Sequence, residues 1–333
     1  METEDFAQKT ATSYDQIASK QQALTLDQNR HVPFRSFNNF VKKKLIELTL
    51  NHIRILRLMK QRCCEREIPG AVVVDLASGR GGDLGKWIYG QHPPLSKATI
   101  GLSRGVLKVA RYFAIDVSSQ SVEESKRRLN ELTSQHTVEC SFHTADCFSA
   151  AFWGEVCPSI IVPESIDVVS CQFALHYSCR TTESLLLTLK GVSALLRVGG
   201  VFVGTIVNSE ELQRRVDASR FEFDNSGLSS SLFQITFPEK SEQPMPLGHR
   251  YHFHLDGLVD CDEFVVLFKD LCSVAGSVGL RLLDLGSTNF AEFVPLFEKQ
   301  EAARERSGKL RVALGALDSN LVSLYRTFAF EKV

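Results

Sequence analysis

Two aspartates and a glutamine end three apolar runs of this chain, and a glycine-rich loop follows a fourth run. The three side chains are Asp116, Asp146 and Gln172, and the loop SGRGGD follows the run AVVVDL over 71–76. Carboxylates accept hydrogen bonds, amides donate and accept them, and glycines let a backbone approach a ligand closely. If the runs are strands of one parallel sheet, the four features meet at one edge and could bind a nucleoside there.

Asp116 is the clearest of these candidates, because the two oxygens of one carboxylate can accept from both hydroxyls of a ribose. No Asp or Glu lies between Asp83 and Asp116, so no other acid competes for this role. Asp146 could accept from the amino group of an adenine, and Gln172 ends the next run. Helix capping is the alternative interpretation for each aspartate.

The glycine loop by itself leaves two interpretations open, a cofactor loop and a structural turn. Its spacing differs from the GxGxxG fingerprint of dinucleotide enzymes, and its glycines followed by Asp83 resemble the first motif of class I methyltransferases. Free N–H groups at the start of the following helix would face a ligand. The loop therefore favours a methyltransferase over a dehydrogenase, although both share this topology.

The spacing of apolar residues predicts the elements that position these groups. Period-3.6 patterns predict helices and short apolar runs predict strands. Helices are predicted over 38–60, 121–135 and 181–200, and strands over 71–76, 108–116, 138–146, 166–177 and 201–207. Alternating strands and helices predict an α/β fold with a doubly wound, mostly parallel sheet.

The rest of the chain departs from this alternation. Residues 1–37 form a polar N-terminal segment, and 38–333 are predicted to form one α/β domain. Periodicity weakens over about 209–260, where FQITF and RYHFHL predict short antiparallel strands of an inserted α+β lobe. DEFVVLFKDLCSVAGSVGL then predicts a helix, RLLDLG a strand, and the end of the chain, about 321–333, a closing strand.

The composition limits the functions that the chain can have. Net charge is −1 with a pI near 6.8, so contact with nucleic acid must come from a local basic patch. No apolar run is long enough for a membrane span, and the acidic, polar start METEDFAQKT does not suit a signal peptide, which predicts an intracellular protein. The nine cysteines lack zinc spacing and are expected to be reduced thiols.

A metal site is not expected. His252, His254 and Asp256 share one face of the predicted strand YHFHLDG, which superficially suits a metal. Alternate polar residues on a half-exposed strand are common, and they explain the pattern without a metal.

Taken together, the motifs resemble the cellular mRNA cap guanine-N7 methyltransferase family, from Tyr14 to Val333. The combination of FNN, the GGDLxKW loop and QFxxHYS is highly specific, because the blocks occur in the family's order. The blocks are YDQIASKQ, FRSFNNFVK, VVDLASGRGGDLGKW, FHTAD, SCQFALHYS, VNSEELQRR, LDGLVDCDEF and FAFEK.

The resemblance implies a class I methyltransferase, Rossmann-like in fold, that uses S-adenosyl-L-methionine as cofactor and transfers a methyl group to guanine N7 of a GpppN cap. It implies in-line attack without a general base, with positioning by His176, Tyr177 and Glu263. The implied cofactor-binding residues are Lys42, Ala77, Asp116, Asp146, Gln172 and Tyr177. The implied cap-binding residues are Asn38, Asn39, Arg80, Lys86, Arg128, His176, Glu263 and Tyr325.

The resemblance also implies partners and a compartment. The partner is 5′-capped RNA, with 1–37 as an arm on the cap side, and the expected localisation is nuclear. No KxDG motif is present, so guanylyl transfer is expected on another polypeptide. Capping guanylyltransferase or triphosphatase, or the transcription machinery, are the protein partners that this implies, and no membrane is involved.

Three departures from the family pattern stand out. Ala77 replaces the first loop glycine, which is tolerable only if its φ stays negative and its methyl group avoids the methionine part of the cofactor, so cofactor affinity is the property affected. Arg80 replaces a lysine that faces the cap. The segment between Gly85 and Ile115 is longer than in the family and has no acid. Its cations are Lys86, Lys97, Arg104, Lys108 and Arg111, which form either a phosphate-facing patch or a solvated loop.

Two rival functions follow from these observations. One is a class I methyltransferase with another substrate, and the other is an inactive methyltransferase fold that binds RNA as a scaffold. Ala77 favours the scaffold, whereas Asp116, Asp146, Glu263 and Tyr325 favour an enzyme, because a scaffold needs only one pocket.

Overall fold

The computed structural model describes most of the chain, and the strands and helices lie within the described ranges. These ranges are 2–22, 32–60, 68–88, 107–132, 137–218, 228–229, 233–237, 245–255, 258–285, 288–308 and 319–333. The strands are β1 (Ala71–Leu76), β2 (Val109–Asp116), β3 (Glu139–Thr144), β4 (Ile166–Gln172), β5 (Leu196–Val207), β6 (Leu228–Ser229), β7 (Phe233–Thr236), β8 (Arg250–Leu255), β9 (Val259–Phe264), β10 (Leu280–Leu282) and β11 (Tyr325–Lys332). The helices are α1 (Glu2–Gln22), α2 (Val32–Lys60), α3 (Leu84–Ile88), α4 (Ser119–Glu131), α5 (Cys157–Ile160), α6 (Thr182–Leu195), α7 (Ser209–Ala218), α8 (Phe268–Ser277), α9 (Val294–Arg306) and α10 (Ser319–Ser323).

A seven-stranded sheet in the order β10-β11-β5-β4-β1-β2-β3 forms the centre of the fold. The five strands from β5 to β3 run parallel, and β11 runs antiparallel to both of its neighbours. From β1 the chain continues outward to β2 and β3, and β4 then returns to the other side of β1. The predicted doubly wound, mostly parallel sheet is confirmed, and its switch point lies at β1.

Apolar side chains of the strands alternate between the two faces of this sheet, so both faces need cover. On one face, Val73 and Val203 pack with residues of α2, including Leu45 and Ile46. On the other face, strand residues such as Phe202 pack with residues of α6 and α8. The fold therefore has helices on both sides of the sheet, and α2 is fixed to the sheet that carries the strand ends.

Several predicted helix boundaries are wrong. α2 begins at Val32 and not at Asn38, because Pro33 suits a first helical turn and Phe34 and Phe37 extend the apolar stripe into the core. α6 begins after its predicted cap, Thr181, but ends at Leu195, because the following residues already belong to β5.

The clearest difference between the prediction and the structure lies in residues 262–280. This stretch was predicted to be helical throughout, but α8 begins only at Phe268, and β9 continues to Phe264. In the middle of β9 the buried Cys261 and Glu263 alternate with the less buried Asp260 and Asp262, a strand pattern that outweighs the apolar run resembling a helix. Glu263 therefore lies on a strand.

A second, four-stranded antiparallel sheet in the order β6-β7-β8-β9 contains the two short strands that the sequence predicted. Tyr251 and Phe253 of β8 pack with Phe37 of α2 and Tyr325 of β11 in one apolar cluster. This cluster joins the small sheet to the large one. In the described part of the chain, no helix combines the length and apolar character that crossing a membrane requires.

Candidate functional site

A cleft of about 780 Å³ lies at the carboxyl ends of the parallel strands, between the glycine loop, α1, α2 and the small sheet. Of the site residues predicted from the sequence, only Lys86 does not line it. Those that do are Asn38, Asn39, Lys42, Ala77, Arg80, Asp116, Arg128, Asp146, Gln172, His176, Tyr177, Glu263 and Tyr325. The cleft lies beside the switch point of the sheet, where open α/β folds bind ligands.

The glycine loop turns sharply after β1. Gly79 and Gly81 have positive φ, and Ala77 has a φ of 53°. A negative φ, the condition for tolerating alanine at this position, is therefore not met. The left-handed region costs a residue with a Cβ about 1–2 kcal/mol, so the alanine holds a strained position that glycine would occupy without strain.

The Asp116 carboxylate is fixed by backbone donors on both oxygens. The Gly79 N–H donates to Oδ2 at 2.7 Å, and the Ser118 N–H donates to Oδ1 at 2.9 Å. Burial raises the pKa of Asp116, although these hydrogen bonds oppose the shift. Each oxygen still has capacity to accept, so a pair of neighbouring hydroxyls fits this carboxylate.

Asp146 and Gln172 complete the edge formed by β2, β3 and β4. The Phe148 N–H donates to Asp146 Oδ1 at 3.0 Å, and burial raises the pKa of this carboxyl group. Gln172 donates to Ser170 Oγ at 3.3 Å, while its Oε1 is buried without a hydrogen-bond partner in the described structure. A buried carbonyl without a partner is costly, so this side of the cleft favours a ligand with donors.

Lys42 and Lys86 share one buried acid, Asp83. Lys42 Nζ lies 2.9 Å from Asp83 Oδ2, and Lys86 Nζ lies 2.5 Å from Asp83 Oδ1. Burial alone would raise the pKa of Asp83, but the two ammonium groups lower it. Lys86 also donates to Asn39 and to the Gly82 carbonyl, so it braces the glycine loop against α2 behind the cleft wall.

The His176 ring and the Glu263 carboxylate face each other on the side formed by the small sheet. His176 Nε2 lies 3.4 Å from Glu263 Oε1, a separation typical of an ion pair. Burial, however, lowers the pKa of His176 to about 3 and raises that of Glu263 to about 7. The imidazole is therefore neutral near pH 7, and Tyr251, which donates to Glu263 Oε2 at 2.7 Å, is the firm partner of this acid.

Helix α1 covers the cleft next to Tyr177. The hydroxyl groups of Tyr14 and Tyr177 lie 2.8 Å apart, and the Tyr177 hydroxyl also lies 3.2 Å from Cys261 Sγ. Phe6 of the same helix packs against Phe264, with ring centroids 5.4 Å apart. The polar arm expected over 1–37 therefore contains a helix that forms part of the site.

The remaining predicted residues lie along the α2 and glycine-loop side. Asn38 Oδ1 and Arg80 Nε are buried and have no hydrogen-bond partner in the described structure. Arg128 Nε donates to Glu124 Oε1 at 2.9 Å. Tyr325 is buried, with its ring 5.1 Å from that of Phe173. Asn38 and Arg80 thus offer a ligand an acceptor and a donor, respectively.

Sequence reasoning missed several polar residues of the site. Tyr14 lies in the block YDQIASKQ, so the family resemblance contained a signal for it. Asp75 lies under the loop, where burial and the charge of Asp83 raise its pKa to about 7, and Tyr112 donates to it at 2.6 Å. The sequence pattern of β1 did not indicate a site residue at Asp75, because in the sequence Asp75 is only a polar residue near the end of an apolar run.

The basic segment predicted between Gly85 and Ile115 is only partly described. Lys97 and Arg104 lie outside the described residues. Lys108 and Arg111 lie at the start of β2, at the opposite edge of the sheet from the cleft, and Arg111 pairs with Glu139 at 3.0 Å. These two cations therefore do not contribute to a patch at the cleft.

The histidines of β8 pair with acids of β9. His252 lies 2.9 Å from Asp262 and 3.1 Å from Asp260, which His254 also contacts at 3.1 Å. Asp256 lies outside the described residues. Within the described residues, no cluster of His, Cys, Asp and Glu has the arrangement to hold a metal ion. The described cysteines are free thiols.

The cleft can therefore hold two ligands of different character. Carboxylates at the ends of parallel strands suit the hydroxyl and amino groups of a nucleoside. The side with His176 and Glu263 suits a planar base that donates hydrogen bonds, because a carboxylate only accepts when ionised. Aromatic side chains at Tyr177 and Tyr325 add flat apolar walls.

Comparison with known protein families gives one match along the whole chain. A sequence model described as the mRNA (guanine-N(7))-methyltransferase domain matches residues 1–333. Relatives named mRNA cap guanine-N(7) methyltransferase 1 occur in Arabidopsis thaliana, with 30% identity over 99% of this chain and 82% of the relative, and in Oryza sativa subsp. japonica, with 32% identity over 88% and 70%. The relative from Schizosaccharomyces pombe is 28% identical over 90% of this chain and 76% of its own length.

Solved structures give weaker likenesses. The CcbJ methyltransferase from Streptomyces caelestis has a TM-score of 0.45 at 13% identity and covers 85% of this chain and 89% of its own. An S-adenosylmethionine-dependent methyltransferase from Clostridium acetobutylicum has a TM-score of 0.43 at 13% identity, with 88% and 96% covered. These similarities say nothing about the substrate.

Proposed function

Because this chain belongs to the mRNA (guanine-N(7))-methyltransferase family, we propose that the two sides of its cleft hold the two reactants of that family's reaction. The chain transfers a methyl group from S-adenosylmethionine to guanine N7 of the mRNA cap. The assignment of residues to the two reactants is our proposal. It rests on one observation, a single cleft that places strand-end carboxylates on one side and a buried Glu263 on the other.

The residues at the ends of β2, β3 and β4 fit the methyl donor. S-adenosylmethionine supplies a methyl group bonded to a positively charged sulfur. In our proposal Asp116 accepts from its ribose hydroxyls, and Asp146 accepts from its adenine amino group. Gln172 Oε1, buried without a partner in the described structure, gains a donor there. Lys42, the Ala77 backbone and Tyr177 complete this side.

The residues of α2, the small sheet and β11 fit the cap guanine. In our proposal ionised Glu263 accepts from guanine N1–H and its amino group, while His176 and Tyr325 flank the ring. Asn38, Asn39, Arg80 and Arg128 lie toward the phosphates, where arginine forks suit phosphate oxygens. Lys86 supports this side through Asn39 and Asp83 and does not contact the cap in this proposal.

The chemistry requires positioning and no proton transfer by the protein. Guanine N7 has a lone pair and no proton, so it attacks without a general base. We propose that N7 approaches the methyl group in line with the sulfur, while the residues of the cleft hold both reactants in place. Holding two reactants in this way lowers the activation barrier by up to about 7–11 kcal/mol in favourable cases. As positive charge develops on the guanine, a nearby carboxylate at Glu263 stabilises it.

The compartment and the protein partners also belong to this proposal. Methylation of mRNA caps takes place in the nucleus, which supports a nuclear localisation. The protein partners that we propose are the capping guanylyltransferase, the triphosphatase or the transcription machinery. A position near those enzymes would shorten the path of a nascent transcript to the cleft.

The proposal predicts separable effects at the two sides. The wild-type protein should methylate GpppN-capped RNA and leave uncapped RNA unmodified. Asp116→Ala should weaken binding of S-adenosylmethionine about 10- to 100-fold, because it loses hydrogen bonds to a charged acceptor. Glu263→Gln should instead raise the KM for capped RNA and leave donor affinity nearly unchanged. Calorimetric titration and steady-state kinetics measure these quantities.

Glu155→Gln, at an exposed position of the short π-helix Phe152–Val156, is the matched control and should match the wild type. Equal loss of donor and cap affinity in Glu263→Gln would contradict the division of the cleft. Methylation of uncapped RNA would contradict the proposed substrate.

A further inference from the structure

A basic stripe runs along the exposed side of α2 at the mouth of the cleft. We define the stripe as Arg35, Asn39 and Lys43, which are all exposed and spaced four residues apart. Side chains at this spacing are neighbours on a helix, and a rise of 1.5 Å per residue makes the stripe about 12 Å long. Arg35 and Asn39 line the cleft, and Lys43 lies one turn farther along the helix.

The two cations of the stripe are available for a ligand. Within the described structure, Arg35 and Lys43 form neither a hydrogen bond nor an ion pair. Some other surface cations are instead neutralised within their own helix, as Arg127 is by Glu124. An exposed cation without a carboxylate partner is free to bind a phosphate.

The sequence around the stripe reinforces its charge. From Val32 to Ile46, helix α2 has no acidic residue. Two acids that contact lysines of α2 are already paired, because Asp83 holds Lys42 and Lys86, and Glu47 holds Lys44 at 2.7 Å. The surface is therefore locally positive on a chain whose net charge is only −1.

The stripe is continuous with the side of the cleft that faces the cap phosphates in our proposal. Lys86 Nζ donates to Asn39 Oδ1 at 2.9 Å, so Asn39 links the stripe to the glycine loop. Arg80, whose Nε has no hydrogen-bond partner in the described structure, lies on the same loop. A chain of phosphates that leaves the cleft past Arg80 would meet α2 next.

We propose that the stripe binds the phosphates of the RNA chain that follows the cap. This inference rests on the proposed function and extends the substrate from the cap to its first nucleotides. Phosphate contacts position a nucleic acid without reading its sequence. Arg35 offers a planar fork and Lys43 a point charge, both of which suit phosphate oxygens.

The test compares two substrates, the dinucleotide GpppG and a GpppG-capped RNA oligonucleotide. The variant Arg35→Gln/Lys43→Gln should raise the KM for the capped RNA about tenfold and raise the KM for GpppG much less. The slope of log KM against log salt for the RNA should fall by about 1.4, because each lost phosphate contact on a single strand removes about 0.7. Lys190→Gln, an exposed cation on α6, is the matched control and should leave both substrates as in the wild type.

The outcomes separate the inference from the proposed function. Equal KM changes for GpppG and RNA, or an unchanged salt slope, would overturn the stripe as an RNA surface and leave the proposed function intact. An acidic protein partner for the stripe would give that same unchanged slope. A wild-type protein that methylates neither substrate would instead contradict the proposed function. Thermal unfolding by circular dichroism should be unchanged in the double variant, because both side chains are exposed.

Discussion

Ala77 shows how a single backbone angle at the residue scale affects stability. Its φ of 53° places a Cβ in the left-handed region, at a cost that glycine avoids. Ala77→Gly should therefore raise the free energy of unfolding by about 0.5–1 kcal/mol, after subtraction of the greater freedom of glycine in the unfolded chain. Urea denaturation followed by circular dichroism measures this change.

Ala151 provides the matched control for this prediction. It has a φ of −62° in a helical conformation, so Ala151→Gly should lower the free energy of unfolding by about 0.5–1 kcal/mol. Effects of the same sign at both positions would rule out strain at Ala77.

Glu263 gives a pH-dependent prediction. Burial raises its pKa to about 7, so the folded protein holds the neutral acid below this pH and the carboxylate above it. Only the carboxylate accepts both guanine donors, so kcat/KM for capped RNA should rise with pH through about 7 and then level off. Stability has the opposite trend. In the unfolded chain this acid ionises near pH 4.5, whereas in the folded protein it stays neutral up to about pH 7. The free energy of unfolding therefore falls as pH rises from about 4.5 to about 7.

Glu263→Gln separates this effect from Asp75, whose pKa is also raised to about 7. The variant should have lower kcat/KM without the rise near pH 7. A rise that persists in Glu263→Gln would assign the titration to another group. The pH profile of kcat/KM is obtained from initial rates at subsaturating capped RNA, over roughly pH 5.5 to 9, a range that includes both pKa values.

Single residues were predictable where a strand end fixes their place. Asp116, Asp146 and Gln172 meet at one edge because parallel strands end there, and the sequence indicates where each strand ends. The pairing of His176 with Glu263 had no such signal, because His176 lies on a short 3-10 helix after β4 and Glu263 lies on β9, far away in the chain. The positive φ of Ala77 was also unpredictable, because residue type alone favours negative φ.

At the scale of elements, α1 is fixed to the cleft by a few contacts. Phe6 packs between Tyr177 and Phe264, Ser13 donates to the Asp260 carbonyl at 2.6 Å, and Ser118 donates to Asp15 at 2.7 Å. α1 lies outside both sheets, and peripheral elements open more easily than the core. Removal of the Phe6 ring should therefore loosen α1 more than any other part of the site.

Phe6→Ala tests this expectation. Loss of the ring should increase hydrogen exchange of the backbone amides over 6–16 and weaken binding of S-adenosylmethionine, because Tyr177 loses its cover. Exchange of the amides of β1 and β4 should not change, since both strands are hydrogen-bonded on both sides within the large sheet, although Phe6 packs on the same apolar cluster. Hydrogen exchange followed by mass spectrometry measures both regions.

Thr12→Ala is the control on the same helix. Thr12 is exposed and donates only to the Gln8 carbonyl of its own helix, so the variant should exchange as the wild type does. Unchanged exchange over 6–16 in Phe6→Ala would show that other contacts hold α1.

Element types were predicted better than element limits. The parallel strands were found from their apolar runs, because buried strands have few polar positions. The helix predicted over 262–280 was wrong in its first part, since β9 and α8 follow each other with hardly a polar break. Helix α1 was not predicted, because its sequence is polar and its packing depends on residues such as Phe264 that lie distant in the chain.

At the scale of the whole molecule, buried charges fix the base of the sheet opposite the cleft. Asp167 at the start of β4 is buried, and both Arg57 of α2 and Arg197 of β5 contact it. Its second oxygen accepts from the Val72 N–H at 2.8 Å. These contacts hold α2 at its end remote from the cleft, so its first turns are presented to the cleft at a fixed angle.

The overall topology followed from the sequence because alternating helices and strands allow few arrangements of a parallel sheet. The position of the small sheet over the cleft did not follow. Short antiparallel strands give no signal for the surface on which they pack, and only the apolar cluster around Tyr251 and Tyr325 shows it.

The two sheets have a consequence for engineering new specificity. In our proposal the adenosine contacts come from the large sheet and the base-recognising acid from a hairpin of the small one. A designer could therefore exchange β8 and β9 for a hairpin with other side chains and retain the machinery that carries the methyl group. A change of acceptor would then require no substitution at the carboxyl ends of β2 and β3.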